Sequence, residues 1–247
     1  TFPIFTLVME QTLIIIPTYN EIENIEAIIN TVFETGLDLD VLVVDDQSPD
    51  GTGKAVIDLM PDYKTHLFLE SRSEKSGLGA AYVHGFRWAL KRQYQYIFEM
   101  DADFSHDPKE LAPMLEKLKI NTDLVVGSRY VNGVNVVNWP MSRILLSYFA
   151  SKYVQLITSM PIKDATAGFV GYRRAVLESI SMDEVKFVGY AFQIELKYKA
   201  WIKKFKLEEH PIIFTNRILG KSKMSSNIIW EALYGVLFLR LNKNRFK

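Results

Sequence analysis

The chain has no cysteine among its 247 residues. That excludes disulfides, thiolate metal ligands and a cysteine nucleophile, and it fits a reducing compartment. It also lacks an excess of either charge. Lys plus Arg number 29 and Asp plus Glu number 29, so no global field favours nucleic acid or an acidic partner. Internal repeats, low-complexity runs and Gly/Ser linkers are missing too, which favours one domain. No apolar run reaches the roughly 18 residues needed to span a bilayer. The longest one near the end, Ile228 to Leu239, is interrupted by Glu231. Residues Thr1 to Gln11 are apolar but carry neither the basic start nor the cleavage site of a signal peptide. Met9 reads as a candidate natural start, which leaves open whether residues 1–8 are native.

What is present is ordinary in bulk and specific in order. Hydrophobic residues make up 48% and charged residues 23%, as in a globular protein with a substantial core. Short β-branched runs alternate with helical spacings. Leu13 to Ile16, Val41 to Val44, His66 to Leu69, Tyr96 to Met100 and Leu124 to Val126 read as strands. Between them, 24–35, 52–60 and 79–92 read as helices, and Pro108 opens another, as a first-turn proline can. Continuous apolar strands alternating with helices predict an α/β fold with a mostly parallel sheet covered on both faces. Ligands of such sheets bind beyond the carboxyl ends of the strands.

The polar clusters follow those strands. Pro17-Thr18-Tyr19-Asn20-Glu21 comes after the first; it suits a base or ribose, or a plain strand-to-helix turn capped by Asn20 or Asn24. Asp45 and Asp46 come after the second, and adjacent carboxylates need hydrogen bonds or a cation to sit together. Ser48-Pro49-Asp50-Gly51 is a turn signal in its own right. Asp101-Ala102-Asp103 comes after the fourth strand, and carboxylates at i and i+2 can converge on Mg²⁺ or Mn²⁺ bridging substrate phosphates. His106 nearby reads as a cap or surface group rather than a ligand. Gly77-Leu78-Gly79 lacks the further residues of a dinucleotide or P-loop motif, so it marks only a helix start approached closely by ligand or backbone.

Cations come next. Arg129 follows the fifth strand. From Met141 to Ser159, Leu145, Phe149, Tyr153 and Leu156 lie on one side of a helix. Arg143, Ser147, Ser151 and Gln155 form another stripe, either a solvated face or a phosphate-binding one. The segment 216–223 gathers Arg217, Lys221 and Lys223 around Gly220, suited to closing over a pyrophosphate.

Taken together, these pieces resemble a family 2 glycosyltransferase of the dolichol-phosphate (polyprenol-phosphate) mannose synthase type. The matching segments are 16–21, 44–46 with 48–52, 77–79, 101–106, 127–130, 165–169 and 217–223. The resemblance implies a single Rossmann-like domain of GT-A type over 1–247. Residues from about 10 to 130 would form the nucleotide-sugar half, and 131–247 an acceptor half ending in an amphipathic helix. It implies that Pro17, Tyr19, Glu21, Val44, Asp46 and Ala102 line the nucleotide site. Asp101, Asp103 and Ser105 would meet the metal, Mg²⁺ or Mn²⁺, with Asp103 the main ligand; Ser105 stands where some relatives carry Gln. Arg129, Arg143 and Ser147 would receive the acceptor phosphate, and Arg217 and Lys223 the donor diphosphate. Phe192, Gln193 and Glu195 also fit the pattern.

The activity implied is inverting transfer of mannose from GDP-mannose to a dolichyl or polyprenyl phosphate. A phosphate monoester has a second pKa of about 6, so the acceptor is already anionic near neutrality and needs little help from a base. Residues 230–247, apolar and then basic, suggest peripheral binding on the cytoplasmic face of a membrane, with room for a membrane-anchoring partner protein. A core-packed helix with a solvated tail is the competing expectation. The alternatives in function are a UDP-sugar transferase, for example a polyprenyl-phosphate glucosyltransferase, and a non-catalytic nucleotide-sugar binding subunit.

Overall fold

The structure is a computed structural model and describes residues 11–73, 76–217 and 226–246. Its strands are β1 (Thr12–Thr18), β2 (Leu39–Asp45), β3 (Leu67–Ser71), β4 (Tyr96–Glu99), β5 (Leu124–Ser128), β6 (Val136–Val137), β7 (Val170–Arg173), β8 (Leu207–Pro211) and β9 (Phe214–Thr215). Its helices are α1 (Ile25–Glu34), α2 (Thr52–Tyr63), α3 (Leu78–Leu90), α4 (Leu111–Ile120), α5 (Met141–Thr158), α6 (Arg174–Ser179), α7 (Tyr190–Ile202) and α8 (Ser226–Leu241). The five strands and the helices expected between them are all present, with ends displaced by up to three residues; Pro108 opens a 3-10 turn that leads into α4.

Seven strands form one sheet in the order β3-β2-β1-β4-β7-β5-β8. All its pairings are parallel except the two made by β7, which runs antiparallel between β4 and β5. Alternation along the strands divides the core in two. Leu13, Ile15, Leu42, Val44, Ile97 and Val126 face the layer that includes α3 and α7. Ile14, Ile16, Val41, Val43, Phe98 and Val125 face the layer that includes α1 and α4. Helix α1 buries Ile25, Ile28, Ile29 and Val32, one turn apart on a single stripe.

In β7, Gly171 lies under the Phe98 ring; a Cβ there would stand 2.5 Å from Phe98 Cε1. Its antiparallel direction returns the 164–169 segment from the rim of the sheet into its centre. β6 and β9 pair as a small parallel ribbon that holds Trp139, Asn216 and Arg217 near the same rim.

Helix α5 is amphipathic in reverse. Ser151 is buried, as are Val154 and Thr158, whereas Met141, Leu145, Leu146, Phe149 and Leu156 are exposed. The Arg143/Ser147/Ser151 stripe therefore faces the protein, and its reading as a solvated face is corrected. In α8, Val236 and Leu239 are buried while Leu233, Tyr234, Leu237 and Leu241 are exposed. α8 packs on α7 and α5, so its core-facing stripe is real and its apolar outer stripe is left over.

Candidate active site

The two loops after β1 and β2 are stitched into one shelf. Asp45 accepts from Thr18 Oγ1 at 2.8 Å, from Ser48 Oγ at 2.5 Å and from the Ser48 amide at 3.0 Å. Asp50 accepts from the amides of Thr52 and Ile22, and its pKa is lowered by those bonds against the upward push of burial. Thr52 Oγ1 in turn accepts from the Glu21 amide at 3.0 Å. The turn chemistry read from Ser48 to Gly51 is thus in place, and it presents Tyr19 and Glu21 beside Asp46. Asp46 is offset by Arg72 Nη1 at 3.0 Å. Adjacent acids are tolerated here because one is saturated with donors and the other meets a cation. Pro17 and Val44 face each other across the β1–β2 ladder with both side chains buried, so only their backbone reaches the shelf.

Asp101 and Asp103 lie on the turn after β4. Phe104 between Asp103 and Ser105 has φ 60°, a left-handed conformation uncommon for an aromatic residue. That twist brings the Ser105 amide (3.1 Å) and Oγ (2.5 Å) back onto Asp103 Oδ1. Arg217 Nη2 lies 3.0 Å from Asp103 Oδ2. Tyr82 donates to Asp101 Oδ1 at 3.4 Å, and its own pKa is raised well above normal by burial and by Asp101. Burial, then the Asp103 charge, pushes Asp101 up to about 7, with Arg217 opposing. Ala102, between the acids, is buried.

His106 is not the surface group expected from the sequence. It is 2% exposed, stacks on Phe169 at 4.9 Å, and its Nδ1 accepts from the Asp101 amide at 3.1 Å. Burial holds it down to about 4, so the ring is neutral with its proton on Nε2.

Arg129 and Arg143 are held by a second set of contacts. Arg129 is bidentate on Asp164, with Nε at 2.7 Å and Nη2 at 2.5 Å, and Nη2 also donates to Thr166 Oγ1 at 2.9 Å. Asp164 is fully buried, and its amide is held by Glu209 at 3.0 Å. Arg143 stacks over Trp139 at 4.1 Å and donates to Asn216 Oδ1 at 3.1 Å. Trp139 and Tyr130 also lie about the Arg129 guanidinium. Ser147 and Arg129 both act on the Tyr130 phenol, lowering a pKa that burial raises. The chain Arg143–Asn216–Arg217–Asp103 therefore joins both clusters. Lys223 lies outside the described residues, as do Lys221 and Gly220 of the same loop.

Sequence reasoning missed three residues of this rim. Arg72 follows β3, where the strand-end rule alone would have drawn attention to it. Asp164 precedes a quoted motif. Lys197 is fully buried in α7, donating to Ala167 O at 2.7 Å and to Gln193, which donates to Glu99 at 2.7 Å. Burial pushes Glu99 up to about 8 and Lys197 down to about 8. Gly77 and Gly79 prove to serve backbone approach: the Gly79 amide donates to Val188 O at 2.8 Å, and a Cβ on Gly79 would stand 2.7 Å from the Phe192 ring.

The donor set suits a hard divalent cation. Two carboxylates and a hydroxyl share one turn, and Arg217 already supplies positive charge to it. Among the described residues no group of three or more His, Cys, Asp or Glu could hold a metal alone. A cation here would complete its shell with substrate oxygens and water.

Residues 13–181 match the family described as Glycosyl transferase family 2. The chain belongs to glycosyltransferase family 2. Its similarity extends to curated members of narrower description. It is 46% identical over 227 residues to the polyprenol monophosphomannose synthase of Mycolicibacterium smegmatis, covering 92% of this chain and 86% of that one. It is 42% identical to the undecaprenyl-phosphate mannosyltransferase of Micrococcus luteus, covering 92% of each. Among solved structures, glucosyl-3-phosphoglycerate synthase of Mycobacterium tuberculosis, in complex with Mn²⁺, UDP and glucosyl-3-phosphoglycerate, superposes with a TM-score of 0.67. The match has 14% identity and covers 95% of this chain and 79% of that one. At that identity the likeness is one of fold, and the fold is the GT-A arrangement of this family.

Proposed function

We propose that the chain transfers mannose from GDP-mannose to a polyprenyl phosphate, with inversion. The observation that supports this reading is the pair of contacts Arg143–Asn216 and Arg217–Asp103, made by two consecutive residues, which ties Arg143 to Asp103 through one short segment. The names of the two curated relatives support the same acceptor class.

In this reading the nucleoside lies on the shelf formed by Pro17, Tyr19, Glu21, Val44, Asp46 and Ala102. Asp101 and Asp103, aided by Ser105, would hold Mg²⁺ or Mn²⁺, and the ion would supply positive charge to the departing diphosphate. Arg217 and Lys223 serve that diphosphate as well. Arg143 and Ser147 hold the acceptor phosphate. Arg129, its charge balanced by Asp164, presents its guanidinium at a fixed angle beside them. The acceptor oxygen attacks the anomeric carbon from the face opposite the diphosphate, and its negative charge removes the need for a strong base. A carboxylate base would serve a hydroxyl acceptor, but the buried acid nearest the acceptor cluster, Asp164, is engaged by Arg129.

Residues 1–247 act as one glycosyltransferase unit in this proposal, since β7 and β8 of the acceptor half complete the sheet that carries the donor half. No helix among the described residues is long and apolar enough to cross a membrane. The exposed apolar stripes of α5 and α8 would instead lie in the interface, with Arg240, Lys243 and Arg245 toward anionic headgroups on the cytoplasmic face. This leaves room for a membrane-anchoring partner protein.

The test is incubation with labelled sugar nucleotides and a short polyprenyl phosphate. Mannosyl lipid from GDP-mannose is the expected product. A glucosyl lipid from UDP-glucose would replace the donor assignment, and no lipid product from any donor would leave the nucleotide-binding subunit as the reading.

A further inference from the structure

We infer that Lys197, which has no path to either substrate, is a positioning residue that sets the distance between the acceptor cluster and the donor acids. The inference rests on the transfer reaction proposed above and adds a residue to it.

A lysine and a glutamate, each 0% exposed, are enclosed in the core behind the active site. Enclosing two ionisable groups is unfavourable whichever of them carries charge, and apolar replacements of similar volume are often neutral or stabilising. Lys197 and Glu99 do not even touch as a simple pair. Gln193 stands between them, its Oε1 accepting from Lys197 at 3.2 Å and its Nε2 donating to Glu99 at 2.7 Å. Two opposite demands on one amide fix its orientation.

Each end of this network holds one side of the cleft. Lys197 Nζ donates to the Ala167 carbonyl at 2.7 Å. Ala167 belongs to the segment whose Asp164 and Thr166 hold the Arg129 guanidinium. A shift of Ala167 therefore moves Arg129. At the other end, Glu99 closes β4, two residues before Asp101. The network thus spans from the acceptor-side segment to the root of the Asp101–Asp103 turn. All three of its side chains are at most 2% exposed, so substrate does not reach them.

Lys197→Met alone strands Glu99 without its cation and is expected to fold poorly. The informative variant is Glu99→Gln with Lys197→Met, which removes both ionisable groups and keeps the volumes. It should fold with an unchanged circular dichroism spectrum and bind GDP within twofold of wild type by calorimetry. Its kcat should fall tenfold or more, with a severalfold rise in KM for polyprenyl phosphate. Amide hydrogen exchange at 164–169 should quicken by an order of magnitude while the β1–β2 core is unaffected. A folded double variant with wild-type kcat, acceptor KM and exchange at 164–169 overturns the inference. The exchange measurement does not depend on turnover. If wild type itself makes no lipid product, the transfer reading fails, whereas the exchange result still decides whether Lys197 holds that segment.

Discussion

Asp103 has a contact on each carboxylate oxygen: Ser105 on Oδ1 and Arg217 on Oδ2. The proposed metal role of this carboxylate makes Asp103→Ala the sharpest single test. Turnover with Mg²⁺ or Mn²⁺ should fall by at least about 10²–10³, the range seen when one preorganised electrostatic group is removed. Normal turnover by a folded variant would refute the metal role. Arg143 should behave differently, because its role is proposed at the acceptor phosphate and it is held by Asn216 and Trp139. Arg143→Ala should raise KM for the acceptor roughly ten- to a hundredfold, the worth of one hydrogen bond to a charged group, with donor affinity retained. Initial rates over both substrates would check this. His106 gives a pH prediction. The unfolded chain takes up its imidazole proton near the ordinary value of 6.5, whereas the buried ring resists until about 4. Below 6.5 the unfolded state binds more protons, so stability falls with pH and levels off below 4, by about 1.4 kcal/mol per pH unit within the window. His106→Gln should flatten the melting temperature between pH 6.5 and 5 relative to wild type; equal slopes would count against a neutral buried ring.

At the scale of elements, α5 was half legible. Its two stripes were visible as spacings, but which one faced inward was not, because periodicity reports faces and not their partners. The partners come from far along the chain: Asn216 meets Arg143, and Tyr130 lies beside Ser147. The apolar stripe is consequently outside, with Phe149 61% and Leu156 81% exposed. Exposed groups contribute little to folding, so Phe149→Glu with Leu156→Glu should change stability by no more than about 0.5 kcal/mol per site. Flotation with anionic liposomes should nevertheless fall severalfold. Equal flotation of variant and wild type would remove α5 from the membrane proposal. Helix α1 supplies the contrast. The segment 24–35 was legible as a helix, Ile28 on its inner stripe is fully buried, and Ile28→Ala should cost about 2–5 kcal/mol in denaturant unfolding.

Across the whole molecule, the legible part was what the chain writes locally. Strand runs such as Leu13 to Ile16, with both faces covered, announced a parallel sheet, and strand ends announced the rim. β7 escaped because four residues containing Gly171 carry no run, and its antiparallel place depends on Phe98 in a strand some seventy residues earlier. Arg129 was legible as a cation but not as half of a buried pair, since Asp164 reaches it only through the fold. The closure of charge at the rim has a further consequence. Arg217 rests on Asp103 Oδ2 at 3.0 Å and also opposes the upward shift of Asp101. A divalent cation arriving alone must compete with that guanidinium, whereas one arriving with a diphosphate offers Arg217 another anion. Mn²⁺ binding followed by electron paramagnetic resonance should therefore be weak by itself and strengthen when GDP is added. Arg217→Gln should tighten Mn²⁺ binding without nucleotide by about tenfold, the effect of removing roughly 1.4 kcal/mol of competition. The same variant should shrink the gain from GDP and lower kcat, because the departing diphosphate loses a cation. Unchanged Mn²⁺ affinity in Arg217→Gln would mean that the ion pair does not guard the acids, and that donor and metal bind independently.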